Sequence, residues 1–234
     1  LRQLGAEPMV YIPDRLMEGY GPSGAALVEL KKQGAKNLIL DLRDNGGGYF
    51  HIAIKLASEF FADQRLVVYT EGAHEARRDY LSESKGNYAN GKLVVLVNER
   101  TASASEVVAG AVQDWDRGIL IGRRTYGKGI VQELFDFSDG STINLSIARY
   151  YTPLGRSIQR KYSPNWSIMQ DYASMYSGLW SLDTTYAHGK SYQTGLGKKL
   201  FSGGGIVPDL LVPVDSNEVS IIYQDLAQSS LVEQ

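Results

Sequence analysis

The most constraining stretch of this chain is Asn37-Leu-Ile-Leu-Asp-Leu42. It is near-continuously apolar, with no alternation of inside and outside residues. A strand of that kind is buried on both faces, as in the parallel sheets of α/β proteins. The flanking segments agree. Met9 to Ile12 reads as a short strand and Asp14 to Gly21 as a loop. Pro22-Ser23 opens a helix carrying Ala26, Leu27 and Leu30, which Gly34 stops. A second helix follows with Ile52, Ile54, Leu56, Ala57, Phe60 and Phe61 at its apolar positions, then a strand at Leu66-Val-Val-Tyr69. Further on come the strand Leu93–Val97, a helix over 103–114 and a strand at Gly118–Gly122. Repetition of strand, helix and strand predicts a sheet with right-handed crossovers and helices packed on it. Between these elements, the polar stretch Glu71 to Gly91, with Arg77 and Arg78, reads as a surface loop or a substrate-facing flap.

The pattern changes after residue 129. Ile130 to Phe137 and Thr142 to Tyr151 are two extended runs joined by Ser138-Asp-Gly-Ser141, which predicts a hairpin. Residues 160–202 are polar and aromatic with weak periodicity. They read as an inserted excursion, partly helical around Ser167–Leu179. Gly203-Gly-Gly205 leads to a short strand at Leu210 to Val214, and Asn217 to Leu231 reads as a terminal helix. The expected organisation is therefore a core over 1–159 carrying the chemistry, an insertion over 160–202, and a return strand and helix over 203–234.

Composition removes several kinds of function. A formal net charge of −2 provides no basic field for nucleic acid. With no cysteine, thiol nucleophiles, disulfides and cysteine-rich zinc sites are excluded. His51, His74 and His188 lie far apart in sequence and show no metal-ligand spacing, so no metal is expected. No segment is long and apolar enough to span a bilayer as a helix, and no signal peptide is expected within these residues.

The residues that could carry chemistry cluster at Thr101-Ala-Ser-Ala-Ser-Glu106, between the strand Leu93–Val97 and a helix. Ser103 at that junction lies beside the unpaired amides and positive dipole end of a helix, which suits an oxyanion. The same four residues, Ser103 to Glu106, also form a capping box, and Ser105 is a competing nucleophile. Gly46-Gly-Gly48 directly follows a strand, so its backbone could approach a ligand and aim amides at it, or simply make a tight turn. Lys128 sits between Gly127 and Gly129. It reads either as a solvated loop residue or as a buried lysine whose ammonium is disfavoured by desolvation, able to serve Ser103 as a neutral base. Gln132, four positions on, has an amide that could hold the lysine. A Ser103–His51–Asp44 triad is a weaker alternative, since His51 opens a helix after the glycine turn.

Four segments together resemble the carboxy-terminal processing peptidases, the tail-specific serine proteases of family S41. They are Asp41-Leu-Arg-Asp-Asn-Gly-Gly-Gly48, Thr101 to Asp114, Thr125-Tyr-Gly-Lys-Gly-Ile-Val-Gln132 and Ala148 to Gln159. The resemblance implies a crotonase- or Clp-protease-like α/β core with an added hairpin and a C-terminal insertion, and a Ser–Lys mechanism without cofactor. It maps the nucleophile onto Ser103, the base onto Lys128 and the lysine-orienting residue onto Gln132. Lys128 lies 25 residues beyond Ser103, the spacing such peptidases use. The oxyanion donors fall on the amides of Ala104 and of Gly47 or Gly48, and Asp114 is a minor accessory candidate.

The resemblance further implies protein or peptide substrates engaged near their C-termini. The setting it implies is extracytoplasmic, periplasmic or membrane-associated through an N-terminal region, and it allows a homo-oligomer. Such proteins usually carry a PDZ domain ahead of the core, and nothing upstream of Met9 could form one, so this form is expected to lack it. The long insertion resembles members from Bacteroidetes-type bacteria. Two other readings remain: a peptide-binding scaffold whose serine and lysine do not meet, and a crotonase-like acyl-transfer enzyme, against which the serine–lysine pair speaks.

Overall fold

The computed structural model describes residues 9–11, 20–83, 85–160 and 190–213. The elements run β1 (Met9–Tyr11), α1 (Tyr20–Lys32), β2 (Leu38–Asp41), α2 (Phe50–Ser58), β3 (Leu66–Glu71), β4 (Arg78–Leu81), β5 (Leu93–Val97), α3 (Ala104–Asp114), β6 (Ile119–Gly122), β7 (Ile130–Asp136), β8 (Thr142–Tyr151), β9 (Ser191–Gln193), β10 (Lys199–Phe201) and β11 (Leu210–Leu211). The expected helices at Ser167–Leu179 and Asn217–Leu231 lie outside the described residues, as does most of the Asp14–Gly21 loop.

Five parallel strands form the first sheet in the order β1-β2-β5-β6-β11. Leu38, Leu40, Leu93, Val95 and Val97 are buried at its centre, which is why β2 and β5 read as unbroken apolar runs. Helix α3 is buried at every one of its 11 residues and packs beside α2, whose Ile52, Ala53, Leu56 and Ala57 join the same core. Helix α1 begins at Tyr20, two residues before the expected start, with Pro22 tolerated in its first turn. It ends at Gly34 (φ 88°), where Gly34 N–H donates to Lys31 O and Ala35 N–H to Leu30 O, both at 3.0 Å. That pair of bonds is a Schellman closure, and it needs the left-handed backbone glycine supplies.

The second sheet is antiparallel, in the order β4-β3-β8-β7. Two features depart from the sequence reading. Strand β3 leaves the parallel sheet, and the stretch expected to be a loop or flap contains β4, paired with β3 from Thr70↔Arg78 to Leu66↔Leu81. Arg78-Asp-Tyr-Leu81 was illegible as a strand because it is a mostly exposed edge in which Tyr80 alone packs on the core, too little to set up an alternation. The predicted hairpin is present as β7 and β8, closed by Gly140 (φ 86°) and by Asp139, whose carboxylate accepts from Ser141 N–H and O–H. After β9 and β10 the chain returns through Gly203–Asp209 to place β11 beside β6.

Candidate active site

The turn between β5 and α3 is built on Thr101. Its buried hydroxyl donates to Leu42 O at the end of β2 (2.7 Å) and accepts from Asn98 N–H (2.9 Å). Ser103 follows with φ 55° and ψ −117°. A non-glycine residue held there stores about 1–3 kcal/mol of strain and persists only where its surroundings over-determine it. The turn leaves Ser103 half-buried while Ala104 starts the helix. The Ala104 amide, one of the unpaired donors of the first turn, has no acceptor among the described residues.

The glycine triplet lies directly against this turn. A Cβ on Gly47 (φ 102°) would sit 2.8 Å from Ala102 O and 2.9 Å from Ala104 N, so only glycine fits. Fully buried Asn45 makes the junction. Its Oδ1 accepts from Gly47 N–H (2.9 Å) and from Ser105 O–H (2.7 Å), and its carbonyl accepts from Ala102 N–H (2.9 Å). Two sequence questions are thereby answered. Ser105 is buried with its hydroxyl engaged, so it is no rival to Ser103 as an accessible hydroxyl. Of Gly47 and Gly48, the Gly47 amide is already committed, whereas the Gly48 amide has no acceptor among the described residues.

Glu106 does more than cap. Its fully buried carboxylate accepts from Ser103 N–H (2.9 Å), Gly127 N–H (2.7 Å), Lys128 N–H (2.8 Å) and the Thr125 hydroxyl. Burial pushes its pKa above the ordinary glutamate value, while the four donors pull it back down. One side chain therefore ties the serine turn to the lysine loop. Thr125 passes the linkage on: its hydroxyl accepts from Ile206 N–H (2.7 Å) and its amide donates to Ile206 O (3.0 Å). Sequence reading gave Glu106 only its capping role, because donors 19 to 22 residues away leave no periodic signal.

Lys128 is exposed rather than buried, and its ammonium makes no ion pair or hydrogen bond among the described residues. Its loop is nevertheless fixed. Gly129 N–H donates to Gln159 Oε1 (2.9 Å), Arg160 N–H donates to Gly127 O (3.0 Å), and a Cβ on Gly129 would lie 2.6 Å from Gln159 N. Gln132 is exposed on β7 opposite Ser146, just after a bulge, and its side chain has no hydrogen bond among the described residues. The structure thus ties the Ser103 turn to the Lys128 backbone through Glu106 and to Gly47 through Asn45, with no bond from Gln132 to the lysine among the described residues.

The remaining candidates sit elsewhere. Asp114, at the far end of α3, is buried against Arg156 Nε (2.8 Å) and Leu154 N–H (2.8 Å), a structural ion pair. Asp44 is engaged by Asn98 Nδ2 (3.0 Å), while exposed His51 lies beside Tyr49, the rings tilted by 33° with centroids 5.7 Å apart. No His51–Asp44 bond exists among the described residues, so the triad alternative is not assembled. No group of three or more metal-ligating side chains occurs among them either. Beside the lysine loop lies a cavity of about 900 Å³, lined by Ile130, Ala148, Arg149, Tyr151, Gln159 and Arg160 among others.

Residues 18–172 match the family model described as Peptidase family S41. Over 135 residues the chain is 43% identical to the C-terminal processing peptidase, chloroplastic, of Tetradesmus obliquus, covering 58% of this chain and 29% of that protein. It is 42% identical, also over 135 residues, to the carboxyl-terminal-processing protease of a Picosynechococcus species, covering 58% and 32%. Among solved structures it is similar to a photosystem II D1 C-terminal processing protease, with a TM-score of 0.62 and 30% identity over 88% of this chain and 42% of that one. A lipoprotein from Streptococcus agalactiae, at 18% identity and a TM-score of 0.54 over 96% and 66%, shares the fold. The chain spans about a third of the length of these curated relatives.

Proposed function

Because this chain belongs to peptidase family S41, we propose that it is the catalytic core of a serine endopeptidase that cleaves extended segments of proteins. The observation that carries the reading is the Ser103 turn: a strained serine at a helix start, beside the amides of Ala104 and Gly48, which have no acceptor among the described residues, and tied through Glu106 to the Lys128 loop. Neutral Lys128 removes the Ser103 proton as Oγ attacks the peptide carbonyl. The carbonyl oxygen becomes an oxyanion held by the two amides. Collapse of the tetrahedral adduct expels the amine, which takes the proton back from lysine. Water, deprotonated by the same lysine, then releases the acyl group from Ser103.

A peptide laid along β7 into the neighbouring cavity would cover Lys128, and loss of water disfavours the charged form. The outer edge of β7 has no strand partner among the described residues, so backbone pairing there would bind substrate with little side-chain selectivity. Engagement of C-terminal regions, with Gln132 steadying the lysine once substrate is bound, follows the family likeness. So does an extracytoplasmic setting; no helix among the described residues is long and apolar enough to cross a membrane.

One observation favours a second reading, a peptide-binding scaffold: the side chains of Lys128 and Gln132 make no bond among the described residues. Hydrolysis of unfolded casein by wild type, Ser103→Ala and Lys128→Ala, each checked for folding, separates the two. The peptidase reading expects activity in the wild type alone. Cleavage by folded Ser103→Ala would overturn it, and binding of casein without cleavage or labelling of Ser103 by a fluorophosphonate would favour the scaffold.

A further inference from the structure

We propose that Asn45 is a positioning residue for the oxyanion pocket: it withdraws the Gly47 amide and thereby leaves Gly48 as the donor that acts with Ala104. The inference rests on the serine-peptidase reading and deepens it. Three consecutive glycines have the freest backbone a chain can have, yet a preorganised donor must already be aimed when charge develops on the carbonyl oxygen. Something has to choose one amide of the triplet and hold it. Asn45 is fully buried and is placed to do so. Its side-chain oxygen accepts from Gly47 N–H and its carbonyl from Ala102 N–H, each at 2.9 Å, while Ser105 O–H donates to that side-chain oxygen at 2.7 Å. The triplet is thus fastened to Ala102 and Ser105, on either side of Ser103, with Ser105 60 positions beyond Asn45 along the chain.

The chemistry of the side chain also matters. A carboxamide is a neutral acceptor, so it fixes Gly47 without putting a full negative charge beside the forming oxyanion. Aspartate would keep the acceptor oxygen and add the charge. The Ser105 hydroxyl holds the amide oxygen from the far side and assigns that buried serine a place in the same device.

The test combines hydrolysis of a fluorogenic apolar peptide with amide hydrogen exchange at Gly47 and Gly48, on wild type, Asn45→Ala, Asn45→Asp and Ser105→Ala. In the wild type the Gly47 amide is expected to be protected and the Gly48 amide to exchange fast. Removing an oxyanion donor typically costs about 10²–10³ in kcat. Asn45→Ala, which misaims the donor, is expected to lose Gly47 protection and about 100-fold in kcat with KM nearly unchanged. Ser105→Ala, the gentler variant should Asn45→Ala not fold, loses one of two bonds and is expected to cost a few-fold in kcat. Asn45→Asp is expected to keep Gly47 protected and still lose kcat, a split that a merely structural role would not produce.

Wild-type kcat in folded Asn45→Ala, or a Gly47 amide already unprotected in the wild type, would overturn the inference. A wild type that fails to hydrolyse the peptide at all would count against the peptidase reading. Gly47 exchange in Asn45→Ala would then still decide whether Asn45 holds the triplet.

Discussion

Helix α3 and the β7–β8 hairpin start from similar sequence and end in opposite surroundings. Both are rich in Val, Leu, Ile, Phe or Ala. In α3 every residue is buried, and the helix packs against α2, β3 and β6. In the hairpin, Leu134 is 66% exposed, Phe137 55% and Leu145 43%. Phe135 lies directly across from Ile143 on one face of the ribbon. The contrast teaches that an apolar pattern states what an element could bury, and the layer on its far side decides what it does bury. The serine turn hangs on the first kind of element and the lysine loop leads into the second.

Four variants sharpen or break that comparison, in falling order of effect. Arg156→Ala should be the most damaging, because it strands Asp114 in the core. Removing one partner of a buried pair costs about 3–5 kcal/mol, to be read as a shift of the urea midpoint. A loss below about 1 kcal/mol would mean that water reaches Asp114. Gly47→Ala forces a Cβ to within 2.8 Å of Ala102 O at a positive φ. Hydrolysis should fall by at least about 100-fold, the scale of a lost oxyanion donor, while cooperative unfolding is retained.

The third is a pH effect. Burial raises the Glu106 pKa, so the folded state binds this proton more tightly than the unfolded state does. Its contribution to stability is therefore greatest below an ordinary glutamate pKa of about 4.3 and is lost as pH rises through the higher folded value. Glu106→Gln should flatten the stability curve from about pH 4.3 upward; curves that stay parallel would show that Glu106 titrates alike in both states. Last, Leu134→Ser with Phe135→Ser should change stability by no more than about 0.5 kcal/mol, as surface substitutions do, while reducing binding of a hydrophobic dye. A large destabilisation would show that the hairpin faces are covered.

Much of the framework was legible because its signals are local. The unbroken run at β2, the helical spacing of Val107, Val108, Ala111 and Val112, and the Asp139-Gly140 turn each report on a few neighbouring residues. The strand–turn–helix around Ser103 followed from them. What escaped depends on distance. The Glu106 carboxylate meets amides in a loop beyond β6, and Asn45 meets Ser105 across 60 residues. Lys128 proved exposed because flanking glycines press its backbone, not its side chain, against residues 158–160. Strand β4, with Tyr80 alone packed on the core, carries no periodicity to read.

The clasp between Thr125 and Ile206 sets a timetable. A chain made from its N-terminus delivers Ser103 and Lys128 early, yet the segment that steadies the threonine between them arrives some 80 residues later. Strand β11, which lies beside β6, comes later still. Domains complete their long-range pairings only when the last partner has emerged. A chain halted at residue 200 would hold the Ser103 turn and the Lys128 loop without Ile206, whose amide donates to the Thr125 hydroxyl between them.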